Sequence, residues 1–440
     1  MELSAEQDQA FTLYASRRNV FITGPGGTGK SALIRKIWAH ATANRRIIQV
    51  CALTGCAALL LQCKAKTVHS FASIGLGAGD PHDIVTKIMK SKYKKKSWLE
   101  VDVLVIDEVS MLSKRLFELL DLIGKTVRKN PTPFGGIQLI FSGDFYQLPP
   151  ISAGREPPEF CFESELWPIT FEPDSHIQLI KIFRQSDEVY ATILNQIRVG
   201  KMKRSSINIL QQCVGKRLPE DSTITPTKLY PIRSKVDEIN ATEMAKLTTE
   251  IIEFPINTAP VIALDARQRE ERQKYNKEDV IREQEYLRST LMNNDTLQLK
   301  VGAQVMCTVN LECQTGGALC NGSQGIITHI SALGTPVVRY TNGLEMSMGY
   351  HIWESEKIPG IGVASIPLIL AWALTIHKSQ GATMDMAEID VGSSIFECGQ
   401  TYVALSRVKS LEGLYLTSLD ISKIKINKKV HDFYQTLNQP

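Results

Sequence analysis

The stretch Gly24-Pro-Gly-Gly-Thr-Gly-Lys30-Ser31 has the residue types and spacing of a phosphate-binding loop. Its glycines allow consecutive backbone N–H groups to turn toward phosphate oxygens, and a following helix N-terminus adds positive potential. Lys30 would place its charge near the β- and γ-phosphates, and Ser31 would ligate Mg²⁺ through its hydroxyl. The alternative is a glycine-rich turn without a ligand, which the flanking strand Val20 to Ile22 and helix Ala32 to Ala41 disfavour.

Three more polar side chains follow apolar runs and could complete a hydrolytic site. Asp107 and Glu108 end the run Val103 to Ile106, and carboxylates at the carboxyl end of a parallel strand face the ligand crevice. Asp107 would hold Mg²⁺ through water, and Glu108 would polarise the attacking water. Gln147 would hydrogen-bond the γ-phosphate or that water, whereas a simple polar loop closed by Pro149-Pro150 is its alternative. Together these residues predict nucleotide hydrolysis.

The elements that must position these residues are predicted from hydrophobic patterns. Residues 1–180 alternate helical patterns with short apolar runs, which predicts a parallel sheet with helices on both faces. The predicted strands are Val20 to Ile22, Ile47 to Val50, Val101 to Ile106 and Ile137 to Phe141. Further predictions are a helix over Glu188 to Arg198, a strand and helix over Lys228 to Leu247, and a charged helix or mobile segment over Asp265 to Arg288.

Between Leu297 and Trp353 the hydrophobic pattern changes to short β-strand runs, which are separated by turn signals at 315–317, 321–322 and 342–343. This pattern predicts a small barrel. Residues 364–440 return to alternating strand and helix patterns.

Composition limits the class of protein. The chain has 440 residues, 43% hydrophobic and 22% charged, with a formal net charge of +4, which predicts two to four globular domains and permits a polyanionic partner. It lacks an apolar run long enough for a membrane span, a leader pattern, and zinc-ligand spacing among its nine cysteines. We therefore expect an intracellular protein, of unresolved compartment, rather than a disulfide scaffold, membrane protein or zinc finger.

A series of short motifs between Leu3 and about Leu437 resembles, in number and order, those of the Pif-type (petite integration frequency) 5′-to-3′ DNA helicases of superfamily one. In chain order they are Leu3-Ser-Ala-Glu-Gln7, Leu53-Thr-Gly-Cys-Ala-Ala58, Thr67-Val-His-Ser-Phe71, Val105-Ile-Asp-Glu-Val-Ser-Met111, Phe134-Gly-Gly-Ile-Gln138, Phe183-Arg-Gln185, Ile376-His-Lys-Ser-Gln-Gly381 and Tyr402-Val-Ala-Leu-Ser-Arg407. The fifth belongs to a signature stretch, Leu116 to Ile140, that separates this family from other helicases.

The resemblance implies an α/β fold with two RecA-like parallel-sheet domains and the ATP site in the crevice between them. The first domain would be 1–180, with a short lysine-rich wedge insertion over 72–100. The second would be 181–250 with 364–440. An insert over 251–363 would hold the charged helix and an SH3-like β-barrel.

The resemblance also implies roles for individual residues. The catalytic set would be Lys30, Asp107, Glu108, Gln147, Arg184 and Arg407. The ATP-binding set would be Gln7, Gly24, Pro25, Gly26, Gly27, Thr28, Gly29, Lys30, Ser31 and Gly381, with Mg²⁺ on Ser31 and Asp107. Arg184 and Arg407 would be arginine fingers reaching from outside the first domain to the charge on the γ-phosphate; a surface salt bridge is the alternative for each.

Single-stranded DNA would be held by hydroxyl and amide groups on its phosphates and by aromatic faces on its bases. The candidates are Thr54, Gly55, Thr67, His69, Phe145, Asn310, Asn321, His377, Lys378 and Gln380. Core packing is the alternative for Phe145, and a structural histidine is the alternative for His69. The lysines between Lys87 and Lys96 would contact an incoming duplex, or would form a solvated face.

These implications combine into an ATP- and Mg²⁺-dependent 5′-to-3′ DNA helicase of replication, repair or recombination. Its partners would be single-stranded DNA and tailed or forked duplexes, with G-quadruplex or RNA–DNA hybrid as further candidates, and it would act without a membrane and be a monomer in solution. The alternatives are a single-strand translocase that remodels protein–DNA or RNA–DNA complexes, and an ATP-gated binding module. A small-molecule P-loop kinase would not need the DNA motifs.

Overall fold

The computed structural model describes residues 3–61, 63–75, 77, 79–150, 159–185, 187–218, 224–259, 264, 266–291, 296–312, 318–355, 358–392 and 395–437. The chain forms two compact units. Unit 1 consists of Met1–Met202, Glu397–Tyr402 and Ile424–Pro440, and unit 2 consists of Lys203–Phe396 and Val403–Lys423.

Unit 1 is built on a six-stranded sheet in which every pairing is parallel. Its strands are β1 (Val20–Thr23), β2 (Ile48–Ala52), β3 (Lys66–Thr67), β4 (Val103–Asp107), β5 (Gln138–Ser142) and β6 (His176–Gln178). The spatial order is β3-β2-β4-β5-β1-β6. The four predicted strands are therefore confirmed within one or two residues, and the carboxyl ends of β1, β4 and β5 meet at one edge of the sheet.

Ten α-helices belong wholly to the described part of unit 1. They are α1 (Ala5–Ala15), α2 (Lys30–Ala43), α3 (Gly55–Leu61), α4 (Val68–Ala72), α5 (Pro81–Met89), α6 (Lys92–Glu100), α7 (Lys114–Arg128), α8 (Trp167–Thr170), α9 (Glu188–Arg198) and α15 (Lys428–Leu437). Short 3₁₀ turns occupy Val109–Met111, Pro133–Gly136, Cys161–Glu163 and Pro173–Ser175. Ser4 begins α1 with a reciprocal capping box to Gln7, and Asp187 caps α9.

The predicted wedge insertion over 72–100 consists mainly of α5 and α6. Ile84, Val85 and Ile88 of α5 and Trp98 of α6 are buried in the core of unit 1, whereas Lys92 and Lys96 are exposed. The insertion is thus anchored by its apolar side chains, and part of its lysine-rich surface faces solvent.

Unit 2 combines a parallel sheet with several antiparallel ones. The parallel sheet has the order β20 (Ala373–Thr375), β7 (Thr227–Tyr230), β21 (Ala387–Val391), β22 (Leu414–Leu419). Five antiparallel strands follow the order β16 (Glu345–Ser347), β15 (Pro336–Tyr340), β14 (Gln324–Ile330), β11 (Gln304–Cys307), β19 (Leu368–Leu370). The smaller sheets are β17 (His351–Glu354), β18 (Gly362–Ser365) and β9 (Asn257–Thr258); β8 (Ile252–Pro255) and β10 (Thr296–Leu299); and β12 (Leu311–Glu312) and β13 (Ala318–Leu319).

The helices of unit 2 are α10 (Arg204–Gln212), α11 (Arg233–Lys246), α12 (Ala266–Arg272) and α13 (Lys277–Thr290), with 3₁₀ turns at Leu411–Gly413 and Ile421–Lys423. Helix α14 (Gln400–Leu405) begins in unit 1 and ends in unit 2. Asn321-Gly322 and Asn342-Gly343 form turns, and the turn predicted at 315–317 lies outside the described residues. Two units with parallel sheets, the second carrying antiparallel sheets, confirm the predicted α/β fold class.

The unit boundaries differ from the predicted domains 1–180, 181–250 with 364–440, and 251–363. Helix α9 belongs to unit 1, because Arg198 pairs with the buried carboxylate of Asp144 at 2.8 Å. Helix α15 also belongs there, because Val430 and Tyr434 are buried in the aromatic core beside Phe21 and Phe145. Among the described residues, the helices are all too short or too polar to cross a membrane.

Candidate functional site

The predicted phosphate-binding loop lies between β1 and α2, at the carboxyl edge of the unit 1 sheet. Gly29 begins α2 in the left-handed region, with φ of 81°, and a Cβ there would lie 2.6 Å from Nε2 of Gln7. Gly24 has φ of 141°, and a Cβ there would lie 2.4 Å from the carbonyl oxygen of Leu179. Both positions therefore require glycine, and the first N–H groups of α2, which have no acceptor within their own helix, can bind an anion.

Lys30 is held within its own loop. Its Nζ donates hydrogen bonds to the carbonyl oxygens of Gly24 at 2.7 Å and Pro25 at 3.0 Å. Desolvation lowers the pKa of Lys30, and the nearby carboxylates of Asp144, Glu108 and Asp107 oppose that shift. A bound phosphate would offer the ammonium group stronger, charged acceptors than two neutral carbonyls.

Gln7 ties the start of α1 to the same loop. Its buried side chain donates from Nε2 to the carbonyl oxygen of Thr28 at 3.1 Å and accepts at Oε1 from the backbone N–H of Ser4 at 3.0 Å. Thr28 in turn donates its hydroxyl to the carbonyl of Pro25 at 2.9 Å. The geometry therefore assigns Gln7 a contact with the loop, while its predicted contact with adenine stays a prediction.

Asp107 and Glu108 stand at the end of β4, two strands from the loop-bearing β1. Asp107 is buried, and that burial raises the pKa of its carboxyl group. Glu108 has φ of 56° and ψ of 41°, a left-handed backbone that costs a non-glycine residue roughly 1–3 kcal/mol and is concentrated at functional sites. The strand order therefore brings the predicted water-activating residue to the same edge as the phosphate loop.

The predicted Mg²⁺ residues fit a cation that is shared with a nucleotide. Ser31, at the start of α2, supplies a hydroxyl and Asp107 a carboxylate, both hard oxygen donors. The described residues contain no group of three or more His, Cys, Asp and Glu side chains that could enclose a metal. Mg²⁺ is commonly bound by one or two protein oxygens, with substrate phosphates and water completing its octahedron.

A network around Asp144, at the carboxyl end of β5, was missed in the sequence. Arg198 donates from Nε and Nη2 to the two carboxylate oxygens of Asp144, each at 2.8 Å. The hydroxyl of Tyr434 donates to Oδ1 of Asp144 at 3.2 Å and is also hydrogen-bonded to Thr23, the residue before Gly24. The Tyr434 ring stacks on that of Tyr146 with centroids 4.7 Å apart. Helix α15 thus joins the end of β1 to the end of β5.

Gln147 follows this network directly. Its backbone N–H donates to the carbonyl oxygen of Asp144 at 2.8 Å, and its side chain is buried. The position of Gln147 therefore depends on how Asp144 is held.

Arg184 lies in unit 1, so the prediction that it reaches the loop from the second domain is wrong. The backbone N–H of Phe183 donates to the carbonyl oxygen of Gly27 at 2.8 Å, and a Cβ on Gly27 would lie 2.5 Å from Cβ of Arg184. Desolvation lowers the pKa of Arg184, and the nearby Tyr402 and Glu108 oppose that shift. Arg184 thus belongs to the same unit as the phosphate loop and lies beside it, and its predicted catalytic role stays a prediction.

Tyr402 is a further loop contact that sequence reasoning missed. Its buried hydroxyl accepts the backbone N–H of Gly26 at 2.8 Å. Its position within Tyr402-Val-Ala-Leu-Ser-Arg407 was a usable signal, because the helix that carries Tyr402 leads directly to a predicted catalytic arginine.

Arg407 and Gly381 lie in unit 2. The buried guanidinium of Arg407 donates from Nε to the carbonyl oxygen of Val403 at 2.9 Å and from Nη2 to the hydroxyl of Ser406 at 2.7 Å. Gly381 is exposed in a turn, with φ of 84°. Their predicted roles toward ATP stay predictions.

Four of the predicted strand-binding residues meet at the carboxyl ends of β2 and β3, which pair at Ala52 and Thr67. The hydroxyl of Thr54 accepts the backbone N–H of Ala57, and that of Thr67 accepts the N–H of Ser70, each at 3.2 Å. Both threonines therefore begin helices, α3 and α4, in which Gly55 and His69 lie. Burial lowers the pKa of His69, which favours a neutral imidazole at pH 7.

Phe145 is not a base-stacking residue in this structure, and that prediction is wrong. Its side chain is 1% exposed and packs in the aromatic core, with ring centroids 4.8 Å from Phe162 and 5.3 Å from Phe21. The structure therefore has the alternative, core packing. The chain after β5 places the ring on the face of the sheet that α15 covers.

The remaining candidates lie in unit 2. Asn310 is exposed, and its Oδ1 accepts the backbone N–H of the buried Asn321 at 2.9 Å. The residues after β20 form a turn closed by the N–H of Gln380 on the carbonyl of His377 at 3.2 Å, with His377 exposed and Lys378 partly buried. The two asparagines meet each other, and His377, Lys378 and Gln380 share one turn.

Comparisons with known proteins identify relatives of this chain. A family model described as PIF1-like helicase matches residues 2–207, and one described as DNA helicase Pif1, 2B domain, matches residues 284–330. The ATP-dependent DNA helicase PIF1 of Homo sapiens is 34% identical over 100% of this chain and 64% of its own length. The chain thus spans just under two thirds of that relative.

Solved structures give the same result. The crystal structure of Pif1 helicase from Candida albicans is 32% identical, has a TM-score of 0.75 and is matched over 100% of both chains. That of Pif1 helicase from Bacteroides in complex with ADP-AlF3 and ssDNA is 27% identical, with a TM-score of 0.66, over 99% of this chain and 97% of the other.

Proposed function

The chain belongs to the Pif1-like helicase family, and from that premise we propose that it is an ATP-dependent DNA helicase that moves 5′-to-3′ along single-stranded DNA. The observation that carries the proposal lies in unit 1. The phosphate loop after β1, Asp107-Glu108 at the end of β4 and Gln147 after β5 share one sheet edge with Thr54 and Thr67, which follow β2 and end β3. The groups proposed for ATP hydrolysis and those proposed to hold a phosphate backbone thus lie at the ends of neighbouring strands, which supports the proposal.

The residues of this edge divide the chemistry among them. The N–H groups at the start of α2 and the ammonium group of Lys30 would hold the β- and γ-phosphates, and Glu108 would orient and accept a proton from the attacking water. Bound Mg²⁺ would neutralise charge on the phosphates, held by Ser31 and, through water, by Asp107. Gln147 would hydrogen-bond the γ-phosphate and so couple its presence to the segments that bind the DNA strand. Arg184 would add positive charge beside Gly27.

DNA is the proposed polymer because a homologous Pif1 structure holds ssDNA together with a nucleotide analogue. The hydroxyls of Thr54 and Thr67, the imidazole of His69, and the turn at His377, Lys378 and Gln380 would contact phosphates without reading sequence. Forked duplexes, G-quadruplexes and RNA–DNA hybrids are proposed as substrates of the same activity, and the acting species is proposed to be a monomer.

The experiment that tests the proposal is strand displacement on two otherwise identical duplexes, one with a 5′ and one with a 3′ single-stranded tail. With ATP and Mg²⁺, we expect the 5′-tailed duplex to be unwound and the 3′-tailed one to persist. A blunt duplex and a reaction without ATP are the controls. Unwinding of the 3′-tailed duplex would contradict the polarity. DNA-stimulated ATP hydrolysis with neither duplex unwound would favour the translocase alternative.

Tyr434→Phe is expected to lower ATP turnover roughly tenfold while KM for ATP changes less than about threefold. The lost hydrogen bonds would leave the residues around the phosphate loop less precisely positioned, which weakens binding of the transition state more than binding of ATP. The substitution keeps the ring that stacks on Tyr146 but removes the hydroxyl shared by Thr23 and Asp144. Steady-state kinetics with saturating single-stranded DNA measure both constants.

Tyr14→Phe is the matched control, since it removes another buried tyrosine hydroxyl, whose partner is Nδ1 of His40 at 3.2 Å. If both variants lose turnover equally, or if Tyr434→Phe lowers turnover only in proportion to a lower Tm, the hydroxyl has a purely structural role.

A further inference from the structure

A polar cavity of unit 1 lies at the opposite edge of the sheet from the phosphate loop. Its volume is about 370 Å³, and Arg17, Arg46 and Arg128 line it together with Asp102 and Gln138. Arg17, Arg46 and Asp102 precede β1, β2 and β4, and Gln138 begins β5. The cavity therefore opens at the amino ends of these strands, whereas the nucleotide groups stand at their carboxyl ends, and the proposed function does not use it.

The cavity carries excess positive charge. Three guanidinium groups reach it, and Asp102 is the one carboxylate among its described lining residues. Oδ2 of Asp102 already accepts the backbone N–H of Ile47 at 2.8 Å. Three arginines around one carboxylate leave an unbalanced local charge, which an anionic ligand would neutralise.

Two of the three guanidinium groups are held in place by neutral acceptors. Arg128 donates from Nε to the carbonyl oxygen of Gly135 at 2.7 Å and from Nη1 to that of Trp98 at 2.8 Å. Arg46 donates from Nη2 to Oε1 of Gln138 at 2.6 Å, and its guanidinium lies 5.6 Å from the centroid of the Tyr14 ring. These contacts fix the groups without neutralising them, so their remaining donors are preorganised.

Arg17 differs from these two. It is exposed, and within the described part of the chain its side chain makes no hydrogen bond or ion pair. Its backbone is left-handed, with φ of 63°, and its N–H donates to the carbonyl oxygen of Tyr14 at 3.0 Å. A fixed backbone with an unengaged guanidinium leaves Arg17 able to close on a ligand that the other two arginines hold.

We propose that this cavity binds a phosphate-bearing ligand with at least two adjacent phosphate groups. A guanidinium group can donate two parallel hydrogen bonds to the oxygens of one phosphate. The three guanidinium groups together have more N–H donors than the carboxylate of Asp102 can accept, so donors remain for phosphate oxygens. The volume exceeds the requirement of a single phosphate. Two sources share this chemistry, a free di- or triphosphate and two consecutive phosphates of a DNA strand.

The test titrates inorganic pyrophosphate by calorimetry into the full chain presaturated with ADP, so that the phosphate loop is occupied. We expect a single site that Arg17→Gln weakens about tenfold or more, as expected for loss of a charged hydrogen bond. Arg45→Gln is the matched control, because Arg45 is likewise exposed and left-handed, with φ of 56°, but does not line the cavity. Thermal unfolding checks that both variants remain folded.

Fluorescence anisotropy with a forked DNA, again with ADP present, separates the two sources. Weaker DNA binding by Arg17→Gln than by Arg45→Gln identifies a DNA strand as the ligand, and an effect on pyrophosphate alone identifies a free polyphosphate. If Arg17→Gln and Arg45→Gln behave alike toward both ligands, the proposal is overturned. Neither measurement depends on ATP turnover. If the cavity proposal fails, the proposed helicase activity is therefore unaffected.

Discussion

Lys30→Ala is expected to reduce ATP hydrolysis by roughly 10³-fold or more, to near the background of the assay, because preorganised charge at the phosphates is the largest source of catalysis in this reaction. In the structure the ammonium group bridges the carbonyls of Gly24 and Pro25, at the mouth of the loop. Alanine removes the one cation that the loop itself supplies. Phosphate release measured with saturating single-stranded DNA gives the effect.

DNA binding without nucleotide should change less than about threefold in the same variant, since the hydrogen bonds that Lys30 donates in the described part of the chain go to carbonyls of its own loop. Lys36→Ala is the matched control: Lys36 is exposed on the same helix, α2, and lies 5.2 Å from the centroid of the Phe11 ring. Retained hydrolysis in Lys30→Ala, or an equal loss in Lys36→Ala, would contradict the assignment of the phosphate site.

Arg407→Ala is expected to lower ATP turnover by about 10²-fold or more while ATP affinity stays within a few fold, because an arginine finger acts mainly on transition-state charge. The rival role is structural. The guanidinium is buried in unit 2 and donates to the carbonyl of Val403 and the hydroxyl of Ser406, so its loss would remove these hydrogen bonds from the interior of that unit.

Arg407→Lys separates the two roles. Lysine keeps the charge but loses the planar fork, so a catalytic finger should remain strongly impaired in turnover with a nearly unchanged Tm. Nucleotide binding by fluorescence and turnover by phosphate release are measured on both variants. Wild-type turnover in Arg407→Lys, or loss of turnover that follows Tm in both, would assign Arg407 to the structure of unit 2 alone.

The sequence by itself predicted the features that depend on neighbouring residues. The phosphate loop is contiguous, and its chemistry follows from glycine backbone freedom, the charge of Lys30 and the helix start at the next residue. The parallel strands were predicted because both faces of such a sheet are buried, which makes each strand an apolar run. Asp107 and Glu108 followed from the end of one of these runs.

Tertiary structure decided what depends on residues far apart in the chain. Tyr434 and Thr23 are 411 positions apart, and Tyr402 and Gly26 are 376 apart, so local patterns cannot pair them. Helix α9 lies in unit 1 rather than in the predicted second domain, because the pattern of an amphipathic helix does not specify which sheet it covers. Arg184 lies there too, because the neighbouring Phe183 is hydrogen-bonded to Gly27, more than 150 positions away in the chain. The prediction for Phe145 is wrong because an aromatic ring that follows a strand can equally well stack on a DNA base or pack in the hydrophobic core. The packing of α15 onto that face is what buried it, and only the folded chain contains that contact.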